Sequence, residues 1–396
     1  MDAAILNVDV QKFINENVHA DLNKLALKKS PFADVEYAVI LNQIACRSKA
    51  QHKLPTFFAT SNIIYPSKIS LEQTSSEKTA RYKSELISGE RLIDLTGGFG
   101  VDAVFFSKKV KVVVHCELNR ELSELAKHNF QALKINNTDV ICGDGFDILK
   151  FKNQQFDWIY IDPSRRSDAK GKVFMLKDCL PNVPQLLPDY FEYASNILIK
   201  TAPILDISAA LSELKHVKTI HVVAVENEVK ELLWVIEKNY TADIMVYTIN
   251  IIATNAEIFS FNLNKKIQKA NIDYPLKYLY EPNAAIMKSG GFDEVANQFN
   301  IYKLHQNSHL YTSDDTIKFP GRVFEILQNF DYTKSNMILF LKNKKANITT
   351  RNFLLTVDEI RKKWQIKDGG DVFCFFTTNM DDKKIVLVCK KIIVKN

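Results

Sequence analysis

The sequence predicts an α/β protein on an open, mostly parallel sheet, with a helical region before it and an α+β region after it. Three observations carry that expectation. Between residues 91 and 252, short apolar runs alternate with helical stretches, as crossover-linked parallel strands require. The first run, 91–95, stops at the glycine-rich turn Thr96-Gly97-Gly98-Phe99-Gly100, and 101–106 then resumes an apolar, helix-compatible pattern. Acidic residues also fall at the ends of successive runs: Asp94, Glu117, Asp144 and Asp162. In an open parallel sheet, ligands bind beyond the carboxyl ends of the strands.

Residues 1–90 read as polar helices. Apolar positions recur around Phe13-Ile14, Val18 and Leu22 to Leu27, and Pro31 offers a start for a second helix through Val35 and Ile44. A less regular stretch covers 57–71, and Ser75 or Ser76 then caps another helix. The sheet follows, with strands expected at 91–95, 111–117, 139–142, 156–161, 197–199, 219–225 and 245–252. Helices are expected between them, including 119–133, 185–194 and 229–237. The rhythm breaks at 267–275. Beyond it, a helix starts near Asn283 and stops at Gly290-Gly291, and 319–322 is a turn. Residues 323–327, 337–341, 372–377 and 385–393 look like strands, and 357–364 like an amphipathic helix. The expected domains are 1–75, 76–265, 270–320 and 321–396, the third small and ferredoxin-like.

Composition narrows the class. The 396 residues are 46% hydrophobic and 25% charged, as in ordinary globular proteins, and a net charge of +6 is too mild to define a nucleic-acid partner. From about residue 331, Lys and Arg outnumber Asp and Glu by roughly two to one, giving either a basic patch or a solubilising face. Six scattered cysteines without a C-x-x-C pair read as buried free thiols, not as a metal site or disulfide framework. With no signal peptide and no membrane-spanning run, the expectation is a soluble, cytoplasmic protein without a metal.

Two readings of the glycine turn compete. Gly98-x-Gly100-x-x-Ala103, with Glu117 ending the next strand, fits a dinucleotide fingerprint. Asp94 on the strand itself makes the pattern Asp-x-x-x-Gly-x-Gly, which resembles the first motif of class I S-adenosylmethionine (SAM) methyltransferases. That resemblance implies SAM held by Asp94, Thr96, Gly97, Gly98, Gly100, Glu117 and Asp144, with Glu117 on the ribose and Asp144 on the adenine amine. Asp162-Pro163-Ser164 resembles the D/N-P-P-Y/F/W motif of amino-methyltransferases, whose acid and backbone carbonyl orient an amine. Here Ser164 replaces the second proline and no aromatic follows, so the usual base-stacking platform is missing. Arg165 and Arg166 either grip a phosphate or pair with Asp168 or Asp178, and Lys200 either faces the cleft or lies on the surface.

The segments SSEKTARYK, DLTGGFGVDA, DPSRR, ILIKTAPILD, AVENEVKELL, TTRNF and KDGGDVFCF together resemble a bacterial, Bacteroidetes-type family of class I SAM methyltransferases with a C-terminal THUMP-like domain. The resemblance implies a Rossmann-like, seven-stranded methyltransferase sheet. It also implies methylation of a base nitrogen of rRNA or tRNA, with Arg351, Lys362 and Lys363 as further phosphate contacts. Two alternatives remain open: a small-molecule or protein acceptor, and a non-catalytic SAM- or RNA-binding module. A nicotinamide oxidoreductase explains neither Asp94 nor the Asp162-Pro163 step.

Overall fold

The computed structural model describes residues 3–165, 175–253, 255–265 and 268–393. It divides into two compact units, 1–220 with 230–242, and 221–229 with 243–396.

The first unit opens with helices α1 (Val8–Glu16), α2 (Leu22–Ala26), α3 (Tyr37–Lys53), α4 (Pro55–Ala59), α5 (Lys68–Gln73) and α6 (Glu77–Glu85). Ile14, Leu25, Ile40, Ile44 and Ile64 form a core of their own beneath the first helices. Pro31 does not open a helix; α3 begins at Tyr37, and Pro55 takes the first position of α4, where its missing N–H costs nothing. The stretch 57–71 is irregular at 60–67 as expected, but α4 runs into its start and α5 begins within its end. Of the two serines offered as a cap, Ser76 caps α6 by accepting the Thr79 amide, while Ser75 is buried.

Seven strands of a nine-stranded sheet come first, β1 (Arg91–Asp94), β2 (Val112–Glu117), β3 (Thr138–Cys142), β4 (Phe156–Ile161), β5 (Ala194–Thr201), β6 (Val217–Val225) and β7 (Glu228–Glu237), in the order β3-β2-β1-β4-β5-β7-β6. β1 to β5 pair in parallel, and β7 runs antiparallel beside β5. Helices α7 (Val101–Phe106), α8 (Arg120–Ala132), α9 (Gly145–Lys152), α10 (Val183–Tyr190) and α11 (Ile207–Glu213) connect the strands. Residues 245–252 are a strand of the same sheet, as expected, while the stretch read as the helix 229–237 is itself a strand. That stretch is rich in helix-forming Glu, Lys and Leu, yet six successive residues from Glu231 to Ile236 are buried. A strand buried on both faces has no alternation to betray it. Cys142 also departs from expectation. It ends the edge strand β3 and is exposed, while the other five cysteines are buried free thiols.

In the second unit, β8 (Met245–Ile252) and β9 (Asn255–Asn262) form an antiparallel pair. A seven-stranded sheet follows, made of β10 (Tyr278–Pro282), β11 (Tyr302–Lys303), β12 (Tyr311–Ser313), β13 (Gly321–Asp331), β14 (Asn347–Thr350), β15 (Val372–Thr378) and β16 (Lys384–Ile392), in the order β11-β12-β10-β13-β16-β15-β14. Helices α12 (Ala284–Ser289), α13 (Phe292–Phe299), α14 (Lys334–Phe340) and α15 (Val357–Trp364) accompany it. Residues 337–341, read as a strand, fall mostly in α14. Thr333 caps that helix by accepting the Asn336 amide, and only Met337 within it is buried. α15 begins with the reciprocal Thr356–Glu359 capping box. Among the described residues, no helix is long and apolar enough to cross a membrane.

Candidate active site

The glycine turn is shaped from beneath. Asp94 is 1% exposed and its Oδ1 accepts the Thr96 amide at 3.0 Å. Gly97 donates its amide to the Cys116 carbonyl at 2.8 Å, and a Cβ there would overlap the buried His115 imidazole. Gly98 has φ +59 and faces open space, its only neighbour for a Cβ being the Thr96 carbonyl 3.9 Å away. Gly100, at φ +85, starts α7 where a Cβ would come within 2.6 Å of Phe130. Gly97 and Gly100 thus make room for the protein's own rings, whereas Gly98 leaves the main chain accessible to a ligand. The N-terminal helices reach the same turn: Phe57 and Tyr65 lie with ring centroids 5.3 and 6.4 Å from that of Phe99.

Burial drives Asp94 and His115 to the same end. Asp94 is raised well above the usual carboxylate range by burial, with Asp102, Asp162 and Glu117 adding to the rise against the Thr96 hydrogen bond. Burial lowers His115 to about 4. The two side chains lie 3.9 Å apart, and burial disfavours the charged form of each. An unfolded histidine takes up a proton below about pH 6.5 while the folded one does not, so acidification favours the unfolded chain. Full stability from this group is present above pH 6.5 and drains away as pH falls toward 4, costing on the order of 2 kcal/mol at pH 5. His115→Asn is expected to flatten the pH 7 to 5 dependence by that amount. Urea unfolding in a Trp364→Phe background checks it, since Trp158 and Trp234 then report the first unit alone.

Glu117, at the end of β2, accepts the Gly98 amide with one oxygen at 2.7 Å and the Asn119 amide with the other at 2.7 Å. Next to it Leu118 is 72% exposed. Asp144 is exposed and caps α9, its Oδ1 accepting the Phe146 and Asp147 amides at 2.9 and 3.1 Å. Asp162 follows β4, and its amide donates to Thr96 Oγ1 at 2.7 Å, tying the acceptor segment to the glycine turn. Pro163 is buried and Ser164 exposed. Lys200, near the end of β5, is ion-paired with Asp162 and is mostly buried, so of its two readings the free surface lysine does not hold. Arg166 and the side chain of Arg165 lie outside the described residues.

These positions can be set against known proteins. Residues 278–320 match a ferredoxin-like domain family and 321–391 a THUMP domain-like family. The crystal structure of a candidate methyltransferase from Porphyromonas gingivalis W83 is 30% identical, with a TM-score of 0.88 over 99% of this chain and 100% of that one. The chain belongs to this methyltransferase family. Shorter likenesses are a protein-L-isoaspartate O-methyltransferase of Thermotoga maritima, 38% identical over 15% of this chain and 20% of its own, and an uncharacterized RNA methyltransferase of Mycoplasma mobile, 34% identical over 21% and 23%. The chain thus spans about a fifth of the length of those two relatives.

The family's segments meet in a buried charge network that the sequence did not reveal. Lys83, fully buried on α6, binds both Glu231 oxygens of β7 at 2.8 and 2.7 Å, lies 3.3 Å from Asp102 of α7 and donates to Ser75 at 3.1 Å. Ser75 and Tyr160 donate to Asp102 Oδ2 at 2.9 and 2.7 Å. Burial alone would raise Asp102, but the cations of Lys83 and Lys200 and these hydrogen bonds hold it below the usual range. For Glu231 burial wins and the group is raised. Lys53, at the end of α3, is lowered to about 8 by burial and then by the Lys200 cation. No spacing rule signals such a set, because its members come from five separated segments.

In the second unit Arg351 is committed. It pairs with Glu281 at 2.9 Å, as does Arg322 through its Nε at 2.6 Å, and the shared carboxylate is only 4% exposed. Drawing Arg351 to a phosphate would leave part of that buried charge unbalanced. Lys362 and Lys363 on α15 are exposed, the latter over the Tyr332 and Trp364 rings at 5.6 and 5.3 Å.

Proposed function

We propose that this chain is a SAM-dependent methyltransferase acting on a base nitrogen of RNA, rRNA or tRNA. The observation that carries the reading is the open main-chain face of Gly98, set between Glu117 at one strand end and the Thr96–Asp162 contact at the next. The residues present fit the cofactor. Gly98 leaves backbone exposed, Glu117 and Asp144 offer carboxylates for hydroxyl and amino groups, and Leu118 and Phe146 offer apolar surface to a purine. Asp94, Thr96, Gly97 and Gly100 shape this cradle from below. SAM, when bound, supplies a methyl group already activated on a sulfonium. The protein's task is then chiefly alignment and desolvation. Asp162 would accept an N–H of the acceptor nitrogen, and the backbone at Pro163 and Ser164 would fix the ring beside it. RNA as the substrate is supported by the THUMP domain-like match and by the exposed lysines of α15.

Calorimetric titration with SAM, S-adenosylhomocysteine (SAH) and NAD, repeated on Asp144→Ala, tests the cofactor. Binding of both sulfur cofactors, weakened about tenfold by loss of one hydrogen-bonded carboxylate, is the expected result. Binding of NAD alone overturns it. RNA binding should weaken steeply between 50 and 200 mM salt, whereas a small-molecule or protein acceptor gives no salt-dependent RNA affinity.

A further inference from the structure

We infer that Lys200 is a positioning residue: paired with Asp162, it holds that carboxylate in one orientation, one oxygen occupied and the other left for an amino group of the acceptor base. The inference rests on the methyltransferase reading of this same site and adds to it what aims the acceptor-binding group, and at which chemistry.

The register of the sheet brings the pair together. Ile161 of β4 lies opposite Ile199 of β5 in a parallel ladder, so the next residues, Asp162 and Lys200, lie side by side at the carboxyl end of the sheet, with Lys200 still paired to Leu233 of β7. The main chain at Asp162 is already fixed, by the hydrogen bond to Thr96 Oγ1 and by the buried ring of Pro163. What remains free is the side-chain torsion, and Lys200 takes Oδ2. Among the described residues Oδ1 has no partner. The Asp162 side chain is 35% exposed and that of Lys200 only 12%, so the pair presents its carboxylate outward and keeps its ammonium inside. Burial alone would strip Lys200 of its proton more readily, but Asp162, Asp102 and Glu231 together overcome this and raise it. Lys83, Ser75 and Tyr160, which surround those two buried carboxylates, complete the polar setting.

An ionised carboxylate can only accept hydrogen bonds. A group so held selects an N–H donor, which makes an amino-bearing base the fitting class of acceptor. The missing aromatic after Ser164 gives this added weight, since stacking after that motif cannot aim the ring.

Crystal structures of the wild type, Lys200→Met, Lys200→Gln and Lys200→Arg with SAH provide the first test, and single-turnover transfer from labelled SAM to RNA of a strain lacking the gene provides the second. Asp162 should hold one rotamer in the wild type and Lys200→Arg, and should shift or split in Lys200→Met and Lys200→Gln. Misplacement of this kind should slow Lys200→Met about 10²-fold with SAH affinity little changed, and Lys200→Arg should recover most of the loss. The double variant Lys200→Met/Asp162→Asn should be no slower than Asp162→Asn, because Lys200 acts only through Asp162. An unmoved Asp162 in both uncharged variants overturns the inference, and so does a large added loss in the double variant. If the wild type methylates no RNA, the RNA reading fails, while the rotamers still decide the role of Lys200.

Discussion

Asp162→Ala is expected to bind SAM as the wild type does and to transfer methyl groups about 10²–10³-fold more slowly, the scale for losing one preorganised polar contact to the reacting group. The geometry separates the two effects. The hydrogen bond from Asp162 to the glycine turn is made by its backbone amide, through Thr96, and alanine keeps that amide. The cradle around Gly98 should therefore survive. What disappears is the acceptor for the substrate N–H, together with the partner of Lys200, whose ammonium is then left against Asp102 and Glu231. SAH calorimetry and single-turnover transfer to RNA separate the outcomes. Equal rates in the two proteins remove Asp162 from the chemistry. A loss of SAH binding that matches the loss of rate makes it a structural residue of the cofactor site.

The parts of the site that sequence exposes are those that local chemistry dictates. A glycine turn after a short apolar strand announces itself, because few sequences stop a strand on three glycines in four positions. The positions of Glu117, Asp144 and Asp162 at the strand ends were legible for the same reason, each ending or closely following an apolar run. β7 was not legible. Its burial on both faces erases the alternation that marks a strand, and the helix propensity of Glu-Val-Lys-Glu-Leu-Leu then points the wrong way. That misreading hid Glu231 as well. Placed on a solvated helix, an acid needs no partner; placed on a central strand, it needs Lys83. Ser75 shows the limit at the scale of one side chain. Ser75 and Ser76 are equal as caps on paper, and it is Asp102 and Lys83, both remote from the cap, that hold Ser75 inward. Arg351 reads as a phosphate ligand until Glu281, seventy residues earlier, appears beside it.

Lys83→Met is expected to have the largest effect on stability. Lys83 has no exposed surface, and its ammonium is the nearest cation to two buried carboxylates, Glu231 and Asp102. Removing it leaves those charges in a medium that cannot solvate them, and breaking a buried ion pair from one side costs about 3–5 kcal/mol. That cost is not the worth of the interaction. In Lys83→Met/Glu231→Gln one stranded charge goes with its partner, so the double variant should be more stable than Lys83→Met alone. The sign of the pH dependence is a second signature. Without Lys83, Asp102 and Glu231 should titrate above their unfolded values, and groups raised in this way favour the folded chain at low pH and cease to do so as pH rises through the folded pKa. Lys83→Met should thus be less destabilised at pH 5 than at pH 8, the reverse of the acid sensitivity expected from His115. Urea unfolding of the Trp364→Phe proteins at both pH values measures this. A deficit that does not change with pH would mean that the lysine stem, packed against its neighbours, matters more than its charge. The position of Asp102 in the first turn of α7, directly after the glycine turn, links this stability to function. Loosening Asp102 should weaken SAH binding in Lys83→Met, and Lys83→Met/Glu231→Gln should recover only the part that came from unfolding.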